Sequence, residues 1–286
     1  MKSHDNIGTL LAWGRERLGK HSPGAALDAE LLLAACAGLS RAQLRATPEH
    51  EPTAAQIDRY GALIERRRGG EPLAYLTGRR EFWSLSLAVT PAVLVPRPET
   101  ELVVERALAL CGATHCRALD LGTGSGAIAL ALASERPAWE ITATDASDDA
   151  LAVAQTNARE LGLGRVRFLQ GSWFEPVAGG RFELIVSNPP YVDAGDAVLG
   201  TPELRHEPRC ALTPGPDGLA ALHALVRQAP DFLEHDGWLV LEHGTRQAAS
   251  LGATLVAQGF THVRCHRDLA GHERVTEAHW HQPRKR

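Results

Sequence analysis

From residue 98 onward the sequence alternates between short apolar runs and longer helix-favouring segments, and this alternation limits the folds that the chain can adopt. An apolar run of about four to eight residues between turn signals is typical of a buried strand. Such alternation implies a mostly parallel sheet covered by helices on both faces, so we predict an α/β fold for this part of the chain. Strands are predicted at 117–121, 140–144, 165–170, 182–187, 237–242, 261–267 and 273–280, with helices at 98–110, 126–135, 147–162, 217–234 and 246–258.

The beginning of the chain has a different pattern. Residues 1–78 contain short amphipathic helical segments, one of which starts at a capping box made by Thr53 and Gln56. Residues 79–95 alternate apolar and polar side chains and end in prolines, which predicts a β-hairpin. We therefore expect a helical domain at 1–78, a hairpin linker at 79–95 and the α/β domain at 96–286. Since the helical domain contains no chemical motif, we expect it to dock the substrate.

Composition and charge argue against several classes of protein. The 286 residues carry a formal net charge of −4, and the pI is about 6.4. Stable binding to nucleic acid through its phosphates needs a basic face, so we do not expect it. The arginines at 66–68 are expected either to end a helix in solvent or to contact an acidic partner or ribosomal RNA. No apolar run is long enough for a membrane span and residues 1–6 have no secretory pattern, which predicts a cytoplasmic protein.

Cysteines and histidines give no sign of a disulfide framework or a metal site. The five cysteines are an odd number and form no Cys-x-x-Cys pair. The 13 histidines show no metal-ligand spacing within one predicted element. We therefore expect no metal ion in the functional site.

The predicted strand at 117–121 is followed by a glycine-rich turn made of Gly122, Thr123, Gly124, Ser125 and Gly126. Open α/β sheets hold nucleotides at such strand-to-helix turns, although a turn alone can be purely structural. The Gly-x-Gly-x-Gly spacing and the absence of a following Gly-Lys-Ser/Thr argue against a phosphate-cradling loop. Asp145 ends the next strand, where an acidic residue can accept hydrogen bonds from both hydroxyls of a ribose. Together these features predict a bound nucleoside.

The predicted strand at 182–187 ends in Asn188, Pro189, Pro190 and Tyr191. Each proline lacks an N–H and has a fixed φ, so this segment is a stiff loop with few backbone donors. The side-chain oxygen of Asn188 and the carbonyl oxygen of Pro189 can accept hydrogen bonds from a planar NH₂ group, on which the ring of Tyr191 can stack. We predict that Asn188, Pro189 and Tyr191 act in catalysis and that all four residues bind the substrate.

The glycine-rich turn, Asp145 and the Asn-Pro-Pro-Tyr segment resemble those of class I methyltransferases that use S-adenosylmethionine. The sequence is similar in particular to the HemK/PrmC protein-(glutamine-N5) methyltransferases, from about residue 5 to residue 280. The resemblance implies a Rossmann-like fold with a small N-terminal helical domain and S-adenosylmethionine as cofactor. It places Trp173 beside the adenine, and we expect Asn188 to contact the cofactor as well. Further stretches that carry the resemblance are 70–78, 81–83, 95–101, 171–174 and 241–244.

The reaction that the resemblance implies is methylation of the glutamine side-chain amide in the Gly-Gly-Gln motif of class I peptide chain release factors. We expect a monomeric enzyme. Three alternatives stay open on the residues alone. They are glutamine methylation of a ribosomal protein, N6 methylation of a flipped-out adenine in nucleic acid, and a cofactor-binding module without catalysis.

Other residues near these motifs have less specific patterns. The loop at 192–216 is rich in glycine and proline, and we expect it to frame the substrate entrance. Arg97 and Glu99 are expected either to cover the cofactor or to cap the next helix. Glu242 and His243 end another predicted strand, where we expect them to support the pocket.

Overall fold

The computed structural model describes residues 5–19, 22, 24–112 and 115–281. Contacts between residues divide this part of the chain into two compact units. The helical unit contains the described residues up to Arg79 together with Gly200–His206. The sheet unit contains Arg80–Leu199 and the described residues from Glu207 onward. No helix in the described ranges is long and apolar enough to cross a membrane.

The helical unit packs its helices around an apolar core. Its described residues form helices α1 (Ile7–Leu18), α2 (Ala25–Ala37), α3 (Arg41–Ala46), α4 (Ala54–Arg68) and α5 (Leu73–Thr77). The predicted capping box of Thr53 and Gln56 is confirmed at the start of α4. Tyr60 of α4 is fully buried and donates its hydroxyl to the Leu10 carbonyl oxygen over 3.3 Å. A Cβ on Gly14 would lie 1.9 Å from that hydroxyl, so glycine is required for α1 to approach α4 this closely.

The arginine run at the end of α4 does not have the environment that the sequence predicts. Arg67 is buried and its guanidinium lies 2.7 Å from a carboxylate oxygen of Asp28 and 2.7 Å from one of Glu203. The expectation of a solvated or partner-contacting charge is therefore wrong for Arg67. A buried charge must be paired, and its partners lie too far away in sequence for a local pattern to reveal them.

The predicted hairpin is present at the start of the sheet unit. Strands β1 (Arg79–Phe82) and β2 (Leu85–Ala88) form a two-stranded sheet. Trp83 and Ser84 connect them with φ values of 51° and 59°. Two positive φ values in a two-residue connection are characteristic of the type I′ turn, whose twist matches that of the strands.

The main sheet of the described residues has seven strands in the order β5-β4-β3-β6-β7-β9-β8. The pairs β3–β4, β4–β5, β3–β6 and β6–β7 are parallel, and β9 is antiparallel to both β7 and β8. The predicted mostly parallel α/β fold is therefore confirmed. The strands are β3 (Arg117–Leu121), β4 (Glu140–Asp145), β5 (Arg167–Gln170), β6 (Phe182–Ser187), β7 (Leu233–Glu242), β8 (Thr261–Arg267) and β9 (Glu273–Trp280). The helices are α6 (Glu101–Leu110), α7 (Ala127–Glu135), α8 (Asp148–Glu160), α9 (Arg209–Leu212), α10 (Ala220–Gln228) and α11 (Ala248–Gln258).

Apolar side chains cover both faces of this sheet, as expected for parallel strands that are buried on two sides. Ala118 and Leu184 belong to the core cluster that includes α6 and α7. Leu119 and Ile185, their neighbours in sequence, belong to the cluster that includes α10 and α11. Successive side chains of a strand point to opposite faces, so each apolar strand contributes to both cores.

The boundary between α10 and β7 differs from the prediction. A helix was expected over 217–234, but α10 ends at Gln228 and β7 begins at Leu233. Pro230 lies between them in a 3₁₀ turn. Proline lacks a backbone N–H and its ring clashes with the carbonyl group four residues earlier, so the α-helix does not continue through Pro230. The strand starts before residue 237 because Leu233 already pairs with Phe182 of β6.

The strand order places a crevice at one edge of the sheet. The chain leaves β3 toward β4 on one side, whereas β6 pairs with β3 on the other. This reversal is a topological switch point. Open α/β sheets bind ligands in the crevice at such a point, outside the carboxyl ends of the strands. The glycine-rich turn follows β3, Asp145 ends β4 and Asn188 follows β6. The fold therefore brings the sequence-predicted site residues to one edge.

Candidate active site

A cavity of about 260 Å³ lies at this edge of the sheet unit. Of the predicted site residues, Gly122, Thr123, Gly124, Ser125, Asp145, Trp173, Asn188 and Pro190 line it. Gly126, Pro189 and Tyr191 do not belong to the lining. The lining also includes residues that the sequence did not assign to the site, namely Ala92, Val93, Leu94, Pro96, Thr100, Ala127, Ile128, Ala146, Ser147, Ala150 and Ser172. Pro208, Cys210 and Ala211 line the cavity as well, and they belong to the loop at 192–216 that the sequence predicts to frame the substrate entrance.

The glycines of the turn have two different roles. Gly124 has a φ of 57°, and a Cβ there would meet nothing within 4 Å, so this part of the turn borders open space. A Cβ on Gly126, whose φ is 84°, would lie 3.0 Å from Leu130 and 3.3 Å from Ala154. Gly126 therefore lets α7 and α8 pack closely. Gly124 lets the backbone adopt a left-handed conformation beside the cavity.

A buried carboxyl group that sequence reasoning missed lies under the turn. Asp120, at 1% exposure, accepts hydrogen bonds from the Thr123 hydroxyl (2.6 Å) and the Ala129 backbone N–H (3.2 Å). Burial raises the pKa of Asp120 to about 7. Its carboxyl links the turn to the first residues of α7 and so fixes the shape of this side of the cavity.

Asp145 is held rigidly at the end of β4. Its Oδ2 accepts from the Gly124 N–H and its Oδ1 from the Ser147 N–H, each over 2.9 Å. A carboxylate oxygen has more than one acceptor site, so both oxygens can still accept from a ligand hydroxyl. Asp145 therefore presents a fixed negative charge and two acceptors to the cavity.

Trp173 forms a wall of the cavity beside the glycine-rich turn. Its ring lies 3.3 Å from the position that a Cβ on Gly122 would occupy. Its backbone has a φ of 48°, and its carbonyl oxygen accepts from the Thr144 hydroxyl over 3.0 Å. A flat indole in this place offers a surface on which a planar base can stack.

Asn188 is oriented by a residue from another element. Its Nδ2 donates to the hydroxyl oxygen of Thr100 over 3.1 Å. Because the two ends of an amide point in different directions, this bond leaves Oδ1 to accept from a ligand. The preceding residue, Ser187, is fully buried and donates its hydroxyl to the Leu121 carbonyl oxygen over 2.7 Å, which holds the ends of β6 and β3 together. The acceptor geometry at Asn188 is thus built before any ligand enters.

Tyr191 is anchored behind the cavity. Its hydroxyl donates to Oε1 of Glu242 over 2.9 Å, and its carbonyl oxygen accepts from the Gln247 side chain over 3.0 Å. The other carboxylate oxygen of Glu242 has no hydrogen-bond partner among the described residues. Burial raises the pKa of Glu242 to about 7, although its interactions with Thr100 and Tyr191 oppose the rise. Glu242 therefore anchors the Asn-Pro-Pro-Tyr segment through Tyr191.

His243 is buried at the end of β7. Its ring nitrogens lie 2.9 Å from the Thr276 hydroxyl and 2.9 Å from the Gly244 carbonyl oxygen. Burial lowers the pKa of His243, which favours the neutral ring. Neither Glu242 nor His243 lines the cavity, so both lie behind it.

The loop at 192–216 reaches the cavity through an ion pair that the sequence did not reveal. Glu207, with a fully buried side chain, accepts from the Val95 N–H over 3.0 Å and pairs with the guanidinium of Arg97. Arg97 lines the cavity and so do Pro208, Cys210 and Ala211, which follow Glu207. Glu99 is outside the lining. The prolines on both sides of Arg97 mark it in the sequence as a candidate site residue, whereas no local sequence pattern distinguishes Glu207.

The raised pKa of Glu242 gives a testable pH dependence. The unfolded chain releases this proton near pH 4.5 and the folded protein near pH 7, so the contribution of Glu242 to stability is present below about pH 4.5 and is lost as the pH rises to about 7. The Glu242→Gln variant lacks this loss. Its free energy of unfolding, relative to the unchanged protein, should rise by about 2–3 kcal/mol between pH 5 and pH 8. Urea unfolding at pH 5 and pH 8 measures this difference in the free energy of unfolding. The titration of Asp120, whose pKa is also raised, affects both proteins equally and cancels in the difference. A difference that is the same at both pH values would contradict a titrating Glu242.

Two protein families match the chain. Residues 9–78 match the PrmC N-terminal domain, and residues 100–264 match the methyltransferase small domain. Curated relatives described as release factor glutamine methyltransferases match over almost the whole length. The protein from Shewanella oneidensis is 44% identical over 98% of this chain and 98% of its own length. The Yersinia pestis protein is 50% identical over 91% and 94%, and the Escherichia coli K12 protein is 44% identical over 94% and 98%.

Solved structures agree on the fold. A methyltransferase from Pyrococcus furiosus aligns with a TM-score of 0.54 and 19% identity, covering 78% of this chain and 98% of its own. The 16S rRNA N2 G1207 methyltransferase of Thermus thermophilus, solved with AdoMet and guanosine, aligns with a TM-score of 0.52 and 20% identity, covering 70% and 49%. These similarities show that the sheet unit has the fold of class I methyltransferases.

Proposed function

The chain belongs to the release factor glutamine methyltransferases, and we propose that it methylates the side-chain amide nitrogen (N5) of the glutamine in the Gly-Gly-Gln motif of class I peptide chain release factors. The observation that carries this proposal is the orientation of Asn188, whose Nδ2 donates to Thr100 and whose Oδ1 is left to accept at the edge of the cavity. A glutamine amide, with two N–H donors, is complementary to this acceptor. Relatives described by this activity match nearly the whole chain, which supports the release factor over a ribosomal protein or DNA.

The cavity residues fit S-adenosylmethionine. Asp145 offers two fixed acceptors for the ribose hydroxyls, and Trp173 offers a flat surface for the adenine. The open space beside Gly124 leaves room for a ligand to approach the backbone. When bound, this cofactor supplies a methyl group activated by a positively charged sulfur. The rest of the catalytic work is carried out by residues of the chain.

The protein has to bring a weak nucleophile into line. The lone pair of an amide nitrogen is delocalised into its carbonyl group, so the nitrogen must be held in one orientation and stabilised as positive charge develops on it. We assign this role to Oδ1 of Asn188, which lines the cavity, and we propose the carbonyl oxygen of Pro189, which lies outside the lining, as a second acceptor. Hydrogen bonds from the substrate NH₂ to these acceptors strengthen as the nitrogen becomes more positive, which favours the transition state over the bound substrate. The proton becomes acidic only as the methyl group is transferred, so no base is needed at the outset.

The assigned role of Asp145 predicts weaker cofactor binding in the Asp145→Ala variant. A charge-assisted hydrogen bond contributes roughly 1.5–3 kcal/mol, so the dissociation constant should rise about tenfold to a hundredfold. Calorimetry with S-adenosylmethionine measures this directly. The exposed Asp148, which lies outside the cavity lining, gives a matched control, since Asp148→Ala removes the same charge close by. If both variants bound S-adenosylmethionine with the same affinity, a residue other than Asp145 would have to bind the ribose.

Transfer of labelled methyl groups tests the substrate. The protein is incubated with radiolabelled S-adenosylmethionine and, separately, with a class I release factor, the same factor with its Gly-Gly-Gln glutamine changed to alanine, a ribosomal protein fraction, and DNA. We expect label only in the unchanged release factor. Label in the alanine variant, or label in the ribosomal fraction or DNA without label in the release factor, would overturn the proposal. We further propose that the enzyme acts as a monomer in the cytoplasm, where translation takes place.

A further inference from the structure

A group of histidines surrounds one carboxylate at the edge of the sheet away from the cavity. His235 and Asp236 lie near the start of β7, where the pairing with β6 is irregular. His279 lies near the end of β9, opposite Trp238 of β7, and His281 follows that strand. The antiparallel pairing of β7 and β9 therefore brings side chains from two distant parts of the sequence to one place.

The distances between the polar atoms of this group are short. Nδ1 of His235 lies 2.9 Å from one carboxylate oxygen of Asp236, and Nδ1 of His281 lies 2.7 Å from the other. One nitrogen or oxygen from each of these three residues lies within 4.8 Å of the others. Nε2 of His279 lies 3.7 Å from the Asp236 carboxylate. The rings of His235 and His281 also contact each other, with centroids 4.6 Å apart.

These atoms have the chemistry of a transition-metal site. Neutral imidazole nitrogens and carboxylate oxygens bind Zn²⁺ at about 2.0–2.2 Å, usually four around the ion in a tetrahedron. Ligands at such distances lie about 3.3 Å apart, close to the spacing found here. The side chains of Asp236 and His281 are more than half exposed, at 57% and 58%, so they can move outward by the few tenths of an ångström that an ion requires.

We propose that His235, Asp236 and His281 bind a zinc ion, with His279 close beside the Asp236 carboxylate. None of these described residues lines the active-site cavity. They lie toward the start of β7, whereas the cavity lies at the carboxyl ends of the parallel strands. The ion therefore fastens the end of β9 to β7 and has no part in methyl transfer. A local motif could not reveal this site, because His281 and Asp236 are 45 positions apart.

Zinc binding to the full-length protein tests the proposal. The protein is prepared without an affinity tag, treated with EDTA and dialysed, and Zn²⁺ is titrated against a chromophoric chelator. We expect one Zn²⁺ per chain. His281→Ala and Asp236→Asn should each weaken binding by roughly tenfold or more. His272→Ala is the matched control, since His272 is exposed and lies beside Asp268 outside the group.

A thermal measurement distinguishes metal binding at this site from binding elsewhere. Zn²⁺ should raise the melting temperature of the unchanged protein and of His272→Ala, because a ligand that binds only the folded state stabilises it. The rise should be absent in His281→Ala, whose melting temperature in EDTA should equal that of the unchanged protein. Absence of stoichiometric binding in the unchanged protein, or equal affinity in all variants, would overturn the proposal.

Discussion

Replacing Asn188 with alanine is expected to lower kcat by roughly 10²–10³ while the fold is kept, since loss of one preorganised group that stabilises the transition state typically has this effect. The fold should be kept because Asn188 is only partly buried at the cavity edge. The substitution removes the hydrogen bond from its side chain to Thr100. Methyl transfer to the release factor, measured at saturating cofactor and substrate, gives kcat. Turnover close to that of the unchanged enzyme would exclude Asn188 as the catalytic acceptor.

A second variant tests the residue that orients Asn188 without changing Asn188 itself. Thr100→Val keeps the shape of a buried side chain but removes the oxygen that accepts from Nδ2 of Asn188. The amide of Asn188 then loses its fixed orientation. We expect kcat to fall by about tenfold, equivalent to one ordinary hydrogen bond, with little change in cofactor affinity. A loss in cofactor affinity that matches the loss in kcat would instead mean that Thr100 shapes the cofactor pocket.

The sheet and the position of the site could be predicted from the sequence for the same physical reason. Parallel strands that are buried on both faces are continuous apolar runs, and their carboxyl ends meet at one edge of the sheet. Motifs at the ends of three such runs must therefore lie together. Gly124, Asp145 and Asn188 line one cavity, as this reasoning requires.

The supporting residues could not be predicted, because their partners are distant in sequence. Thr100 precedes Asn188 by 88 positions, and Glu207 follows Val95 by 112. A buried carboxyl such as that of Glu242 has no local signature either, since its raised pKa depends on packing around it. The role of Tyr191 as a stacking surface stays a prediction. Its hydroxyl is bonded to Glu242 and its ring lies outside the cavity lining.

The helical unit is expected to provide most of the selection of the protein substrate. A single glutamine side chain offers little area, whereas specific recognition of a protein usually buries roughly 1,200 Å² or more in total. The catalytic and cofactor residues predicted from the sequence all belong to the sheet unit. We therefore propose that the helical unit docks the release factor.

Removal of the helical unit should lower methylation of an intact release factor by about a hundredfold or more, equivalent to roughly 2.7 kcal/mol of docking energy. The shortened chain begins at Arg80, and a glycine-serine linker replaces Gly200–His206, because this segment belongs to the helical unit and Glu203 pairs with Arg67. Calorimetry with S-adenosylmethionine checks that the sheet unit has folded. Activity on a short Gly-Gly-Gln peptide should change little, so the ratio of the two activities isolates docking from a general loss of stability. If both activities fell by the same factor while cofactor binding was kept, the helical unit would support the catalytic site itself, and the docking proposal would have to be abandoned.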